Sequence, residues 1–242
     1  MNTPINNVAV IGSSGAIGRG FVEYFSAHHP DALIHAFSRQ VPSNTTRNIH
    51  YHNIDYLNED SLQYAAEIAS IDKPLDRIVL ATGLLHDKEL KPEKTFKSLS
   101  RESLQRLHEI NTIVPALVAK HFLPTLNREK TSVFAALSAR VGSISDNQLG
   151  GWYAYRTSKA ALNMLIKSFA LEMKMRNKQA IVVGLHPGTV DSALSKPFQG
   201  NVPEGKLFTV DYSVNKLMEV VENLNTENSG QCIAWDGQEI LP

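Results

Sequence analysis

Short apolar runs alternate with longer amphipathic stretches along this chain. Val8–Ile11, Leu33–Phe37, Arg77–Ala81, Ser132–Leu137 and Ala180–Leu185 are too short and too continuously apolar for surface helices. They predict buried strands. Gly18–Ser26, Ser61–Ala69, Ser103–Phe122 and Tyr155–Met175 space their apolar residues three and four apart and predict helices. A β-α-β-α order of this kind implies a parallel sheet covered on both faces. Right-handed crossovers then make an α/β, doubly wound single domain, with ligands outside the carboxyl ends of the strands. Ser192–Asp211 is richer in Pro, Gly and polar residues. It reads either as a substrate lid or as a mobile connection.

Composition narrows the class. The 242 residues suit one domain with a large core, and the 24 basic and 24 acidic side chains cancel. No basic excess points to nucleic acid, and no polybasic run points to a membrane surface. The apolar run Val8–Ile11 is too short for a signal peptide or a membrane span. With Cys232 as the one cysteine, an intrachain disulfide is impossible, and the expected compartment is the cytosol. The nine histidines have no spacing with thiols or carboxylates that makes a ligand set, so no metal is expected.

The first predicted strand runs directly into Gly12-Ser13-Ser14-Gly15-Ala16-Ile17-Gly18, which opens the first helix. Glycines there allow a tight turn and close approach of a pyrophosphate, which the helix N-terminus attracts. The second strand ends in Ser38 and Arg39, where an acidic residue would select a free ribose 2′-hydroxyl. Ser38 does not repel a 2′-phosphate and Arg39 can pair with one, so the cofactor expected is NADP. Asp55 and Tyr56 follow the third strand. Asp55 is placed either at the adenine or in a turn or helix cap. Tyr155 and Lys159 stand at i and i+4 on one face of their helix, beside the apolar stripe Leu162, Leu165, Ile166, Phe169 and Met173. An ammonium at that distance is expected to lower the phenol pKa and to reach the cofactor ribose.

Gly12…Gly15…Gly18, Ala81-Thr82-Gly83, Asn111, Tyr155…Lys159 and Pro187-Gly188 occur in the order of the short-chain dehydrogenase/reductase family, which the chain resembles over nearly its whole length. Gly142–Asp146, His186-Pro187-Gly188-Thr189-Val190 and Ala234-Trp235-Asp236-Gly237 look like the C-factor-like and sniffer-like carbonyl reductases. The resemblance implies that Tyr155 is the general acid of a carbonyl reduction and Lys159 its tuner and ribose ligand. It also implies cofactor contacts from Ser14 and Ile17 in the turn, from Ala81, Thr82 and Gly83, and from Pro187, Gly188, Thr189 and Val190. The family often pairs the helices bearing Asn111 and Tyr155 with symmetry mates, so a homodimer or homotetramer is expected.

Two positions depart from the pattern. Ala16 stands where the family commonly has glycine. Ala139 stands where its second serine polarises the substrate carbonyl. Three readings follow for the second departure: Ser138 moves in, Ser143 on the next loop substitutes, or Tyr155 acts without that donor and slowly. Pro115, four residues after Asn111, removes the usual helical donor to the Asn111 carbonyl. That carbonyl is therefore expected either to hold a water leading to Lys159 and Tyr155, or to sit solvated at a kink. The leading function is an NADPH-dependent reductase of small aldehydes, ketones or quinones. The alternative is an NADP-binding regulatory protein with little turnover.

Overall fold

The computed structural model describes residues 4–42 and 48–242. Seven parallel strands form one sheet in the order β3-β2-β1-β4-β5-β6-β9. They are β1 (Asn7–Ile11), β2 (Leu33–Ser38), β3 (Ile49–Asn53), β4 (Arg77–Leu80), β5 (Ser132–Leu137), β6 (Ala180–His186) and β9 (Cys232–Ala234); β7 (Thr189–Val190) and β8 (Leu207–Phe208) form a separate parallel pair. The strand order reverses between β1 and β4, which opens the crevice where doubly wound proteins bind ligands. The sequence pattern is explained by burial on both faces. Val8 and Val10 join one core cluster with Phe21, Phe25, Leu217 and Met218, whereas Ala9 and Ile11 join the other with Leu62, Phe122, Leu162 and Ile166. Those partners come from α1 (Ala16–His28) and α6 (Val210–Glu222) on one side, and from α2 (Glu59–Ser70), α4 (Val114–Phe122) and α5 (Tyr153–Arg176) on the other. No helix among the described residues is long and apolar enough to cross a membrane.

Three elements differ from the pattern-based expectation. The predicted helix 103–122 is split into α3 (Arg101–His108), a π turn over Glu109–Ile113, and α4. Val114 N–H donates five residues back to the Glu109 carbonyl, and Pro115 follows with no N–H to resume the ordinary ladder. The expected loop 192–211 is shorter, because Leu207–Phe208 pairs with Thr189–Val190 and Asp211 already lies in α6. Strand β3 carries no apolar run, and His50 and His52 lie in register with His35 and Phe37 of β2.

His35 Nδ1 lies 3.1 Å from His52 Nε2, so one ring donates and the other accepts. Burial, and then His52 and His50, push the His35 pKa down from 6.5 to about 4. The native state therefore binds fewer protons than the unfolded chain between those pH values, and stability is lost as the pH falls through that window. The shift corresponds to roughly 3 kcal/mol. Urea unfolding at pH 7 and pH 4.5 is expected to show a smaller acid loss for His35→Leu than for the parent chain.

Candidate active site

The turn from β1 to α1 is shaped by backbone packing. Gly12 has φ of +91°, and a Cβ there would meet the Ala81 carbonyl carbon at 2.9 Å. A Cβ on Gly18 would lie 2.1 Å from the Gly12 oxygen. Ala16, the small residue at the family's usual glycine, opens α1. Gly12 and Ser13 N–H both donate to the Phe37 carbonyl, at 2.9 and 3.0 Å, which ties the turn to β2. The helix has no side-chain cap, and its first ladder bond runs from Arg19 N–H to the Gly15 carbonyl. The amides of Ala16, Ile17 and Gly18 therefore lack intrahelical acceptors and form an anion-binding end.

A cavity of about 590 Å³ lies over this turn, lined by Gly12, Ser14, Gly15, Arg39, Ala81, Thr82 and Gly83 among others. Thr82 Oγ1 is buried with no partner among the described residues, a donor or acceptor held for something the protein does not supply. Arg39 is exposed and lines the cavity. Ser38 does not line it, because its hydroxyl donates to the Gln40 carbonyl at 2.6 Å. Asp55 does not line it either. Its carboxylate accepts the Leu57 N–H at 3.0 Å in a turn, and Tyr56 and Leu57 line the cavity. The cradle of glycines, the free helix amides and the orphaned Thr82 hydroxyl fit the phosphate and ribose groups of a dinucleotide.

A second cavity, about 280 Å³, adjoins the first: Leu84 lines one and Leu85 the other. It contains Ile17, Ser138, Ala139, Tyr155, His186 and the run Pro187–Val190. Gly188, at φ +73°, lets the chain pass Phe208, whose ring would lie 2.5 Å from a Cβ. Leu194, Ser195, Phe198 and Val202 of the 191–206 loop close one side. Trp152 stacks near both Phe198, at 4.9 Å between centroids, and Tyr155, at 6.2 Å.

Tyr155 is 8% exposed, and Lys159 Nζ lies 6.0 Å from its ring centroid. The i,i+4 spacing led to the expectation of a lowered phenol pKa. In the protein alone burial prevails, and Tyr155 is pushed up to about 12. The same desolvation lowers Lys159 to about 8, and its ammonium donates to the Leu137 carbonyl at 2.9 Å. The phenol is thus held in its acid form.

Asn111 is fully buried in the π turn. Its side chain clamps the loop after β4 to α5: Nδ2 donates to the Leu84 carbonyl at 2.8 Å and to Ser158 Oγ at 3.1 Å, and Oδ1 accepts Leu84 N–H at 2.8 Å. Ser158 Oγ in turn donates to the Tyr155 carbonyl at 2.8 Å. The Asn111 side chain is therefore a staple, and only its backbone carbonyl is left for a relay. A Cβ on Gly83 would lie 3.7 Å from Asn111 Oδ1 and 3.8 Å from Lys159 Nζ, so β4, α5 and the π turn converge here.

Both serines weighed for the Ala139 position make hydrogen bonds within the protein. Ser138 Oγ donates to Asn163 Oδ1 at 2.5 Å, on the α5 side of the sheet. Ser143 Oγ accepts Asp146 N–H at 3.1 Å, and Ser143 does not line the cavity. One contributor had no signal in the sequence. Glu93, 3% exposed, accepts Ala154 N–H on Oε2 at 3.3 Å and Trp152 N–H on its backbone oxygen at 2.6 Å. It thereby seats the first turn of α5, where Trp152 takes the left-handed φ of 50°. A carboxylate at a helix N-terminus also complements the helix dipole. His186, which opens the His186–Val190 run singled out in the sequence, lines the same cavity as Tyr155.

A doubly wound sheet with a glycine cradle at its switch point and a buried Tyr–Lys pair beside it defines a dinucleotide-binding oxidoreductase. The chain belongs to the short chain dehydrogenase family, whose model matches residues 6–202. It is 34% identical over 137 residues to the C-signal protein of Myxococcus xanthus, covering 57% of this chain and 77% of that one. Its fold is similar to that of an NADPH-bound carbonyl reductase from chicken fatty liver, with a TM-score of 0.85, 24% identity, and 99% and 100% of the two chains covered. It is also similar to the carbonyl reductase Sniffer of D. melanogaster, with a TM-score of 0.84, 23% identity, and 98% and 100% covered.

Proposed function

We propose that this protein is an NADPH-dependent reductase that converts a small aldehyde, ketone or quinone to its alcohol, with Tyr155 as general acid. The observation that carries this reading is the buried, protonated Tyr155 facing an apolar cavity that adjoins the phosphate cradle. NADPH, when bound, supplies the hydride to the carbonyl carbon. Gly12, Ser14, Gly15 and Gly18 would admit its pyrophosphate, and Ala81, Thr82 and Gly83 its adjoining ribose. Ile17, Pro187, Gly188, Thr189 and Val190 would flank the nicotinamide. Arg39 would pair with the 2′-phosphate, alone, because the Ser38 hydroxyl is committed to Gln40.

Tyr155 Oη gives its proton to the carbonyl oxygen as negative charge develops there. Lys159 holds the ribose and passes a proton to Tyr155 from a water on the Asn111 carbonyl, the group that Pro115 deprives of an ordinary helical donor. The 191–206 loop acts as the lid, with Phe198 closing on Trp152. The protein works in the cytosol on a small molecule, as a homodimer or homotetramer paired through the helices bearing Asn111 and Tyr155.

A second reading is an NADP-binding regulator with little turnover, favoured by Ala139 opposite Tyr155 and by the C-signal relative. NADPH oxidation with quinones, aromatic aldehydes and aliphatic ketones separates the two. The reductase reading expects turnover of at least one class, whereas tight NADPH binding with no oxidation of any favours the regulator. Arg39→Asp is expected to weaken NADPH binding by about 10²-fold, the value of one or two charge-assisted hydrogen bonds replaced by repulsion, and to shift preference to NADH. Retained NADPH preference in that variant would place the 2′-phosphate elsewhere.

A further inference from the structure

The cavity beside Tyr155 contains a polar side chain with no assigned task. His186 ends β6, immediately beside the Ser138–Ala139 end of β5: Leu137 pairs with Leu185, and Ser138 N–H donates to the Leu185 carbonyl at 2.8 Å. The next pair in that register is Ser138 and His186, and His186 lines the same cavity as Ala139 and Tyr155. The backbone on either side is fixed. The His186 carbonyl accepts Trp235 N–H at 2.9 Å, and Pro187 and the left-handed Gly188 follow.

His186 Nδ1 is buried and has no hydrogen-bond partner among the described residues. A buried ring nitrogen without a partner is uncommon and marks a site that something else completes. Ser138, Ser195 and Arg140 on this cavity wall are already engaged. Ser138 is bonded to Asn163, Ser195 Oγ donates to the Val190 carbonyl at 2.6 Å, and Arg140 reaches toward Asp146 at 3.4 Å with its side chain 45% exposed.

We propose that His186 is a catalytic residue, whose ring N–H donates to the substrate carbonyl oxygen in the place that Ala139 leaves without a donor. The proposal rests on the reductase reading. Hydride adds to the carbonyl carbon, the C=O π pair moves to oxygen, and Tyr155 protonates that oxygen; the cofactor is oxidised and the carbonyl reduced. His186 keeps its proton throughout and serves only to hold the developing oxyanion. Burial, reinforced by Arg140, pushes the His186 pKa down to about 4, so the ring is neutral near pH 7. A neutral imidazole has one donor nitrogen and does not compete with Tyr155 as the acid.

The test uses purified full-length protein, NADPH and a carbonyl from the panel that the parent chain turns over. His186→Phe is expected to lower kcat by about 10²–10³-fold, with the substrate KM and NADPH affinity changing less than about threefold. His186→Gln, which keeps an N–H donor and a polar shape, is expected to retain kcat within about tenfold. Adding Ala139→Ser to His186→Phe is expected to restore most of the lost rate by supplying a hydroxyl from the neighbouring strand. Parental kcat in His186→Phe overturns the assignment. So does a loss that neither the Gln variant nor the added serine repairs, because a purely structural histidine would behave that way. Absence of turnover by the parent chain on every carbonyl overturns the reductase reading, and this assignment with it.

Discussion

Tyr155→Phe is expected to lower kcat for carbonyl reduction by about 10²–10⁴-fold, the usual worth of a positioned general acid. The substitution removes one hydroxyl and leaves the ring, which packs edge-on near Trp152 and within the cluster of Leu85, Leu90 and Leu107. NADPH affinity is expected to stay within about threefold, because the cradle residues are untouched. kcat and kcat/KM should then fall together, as they do when an interaction made only in the transition state is lost. Tyr155 takes part in the local hydrogen bonding through its backbone carbonyl, which accepts from Ser158 Oγ and which phenylalanine retains. The melting temperature should therefore hold. Activity within tenfold of the parent chain would place the acid elsewhere.

The second large effect is expected from Gly18→Ala. A methyl group there would sit 2.1 Å from the Gly12 carbonyl oxygen and 2.9 Å from its carbonyl carbon, both backbone atoms that no rotamer can move aside. The turn or the helix must shift, at the upper end of the cost of overpacking, about 3 kcal/mol. Both readouts follow from this. The melting temperature should fall by roughly 6–12 °C for a chain of this size, and NADPH affinity by about 10²-fold, because the displaced atoms are those that shape the cradle. Gly15→Ala is the control: its nearest contact beyond its chain neighbours is 3.4 Å, so the melting temperature should change little. Equal losses in the two variants would mean that the tight packing of Gly18 is not what shapes the turn.

The catalytic helix illustrates how far local pattern reaches. Tyr155 and Lys159 were recognisable because i,i+4 proximity belongs to any helix. The phosphate turn was recognisable because a buried strand, three glycines and an amphipathic helix follow one another without a gap. Arg39, after β2, lines the cavity, whereas the Ser38 hydroxyl beside it donates to Gln40, because whether a short hydroxyl turns to a ligand or to its own backbone depends on torsions that the pattern leaves open. The Asp55 carboxylate caps the Leu57 N–H, a contact that depends on the same local torsions.

Other features depended on segments that meet only after folding. Glu93 lies about sixty residues before the helix it seats, and no spacing rule links the two. Ser138 lines the cavity, but its hydroxyl proton goes to Asn163, which lies on α5 and is reached only through a crossover. The sequence pointed to the Asn111 backbone carbonyl, but that its side-chain amide joins three elements was not legible in it. For Tyr155 in the protein alone, burial outweighs the nearby ammonium, because desolvation scales with everything packed around a group, whereas sequence spacing reveals only one neighbour.

The amino-acid order settles this protein's strand and helix succession, its doubly wound class, its phosphate turn and its Tyr–Lys pair, since each is encoded within a few consecutive residues or by their period. The protonation of Tyr155, the commitment of both serines, the break at Glu109–Ile113 and the unpartnered imidazole of His186 come from the tertiary structure. Burial and long-range hydrogen bonding set those properties, and both are sums over neighbours that only the packed fold assembles.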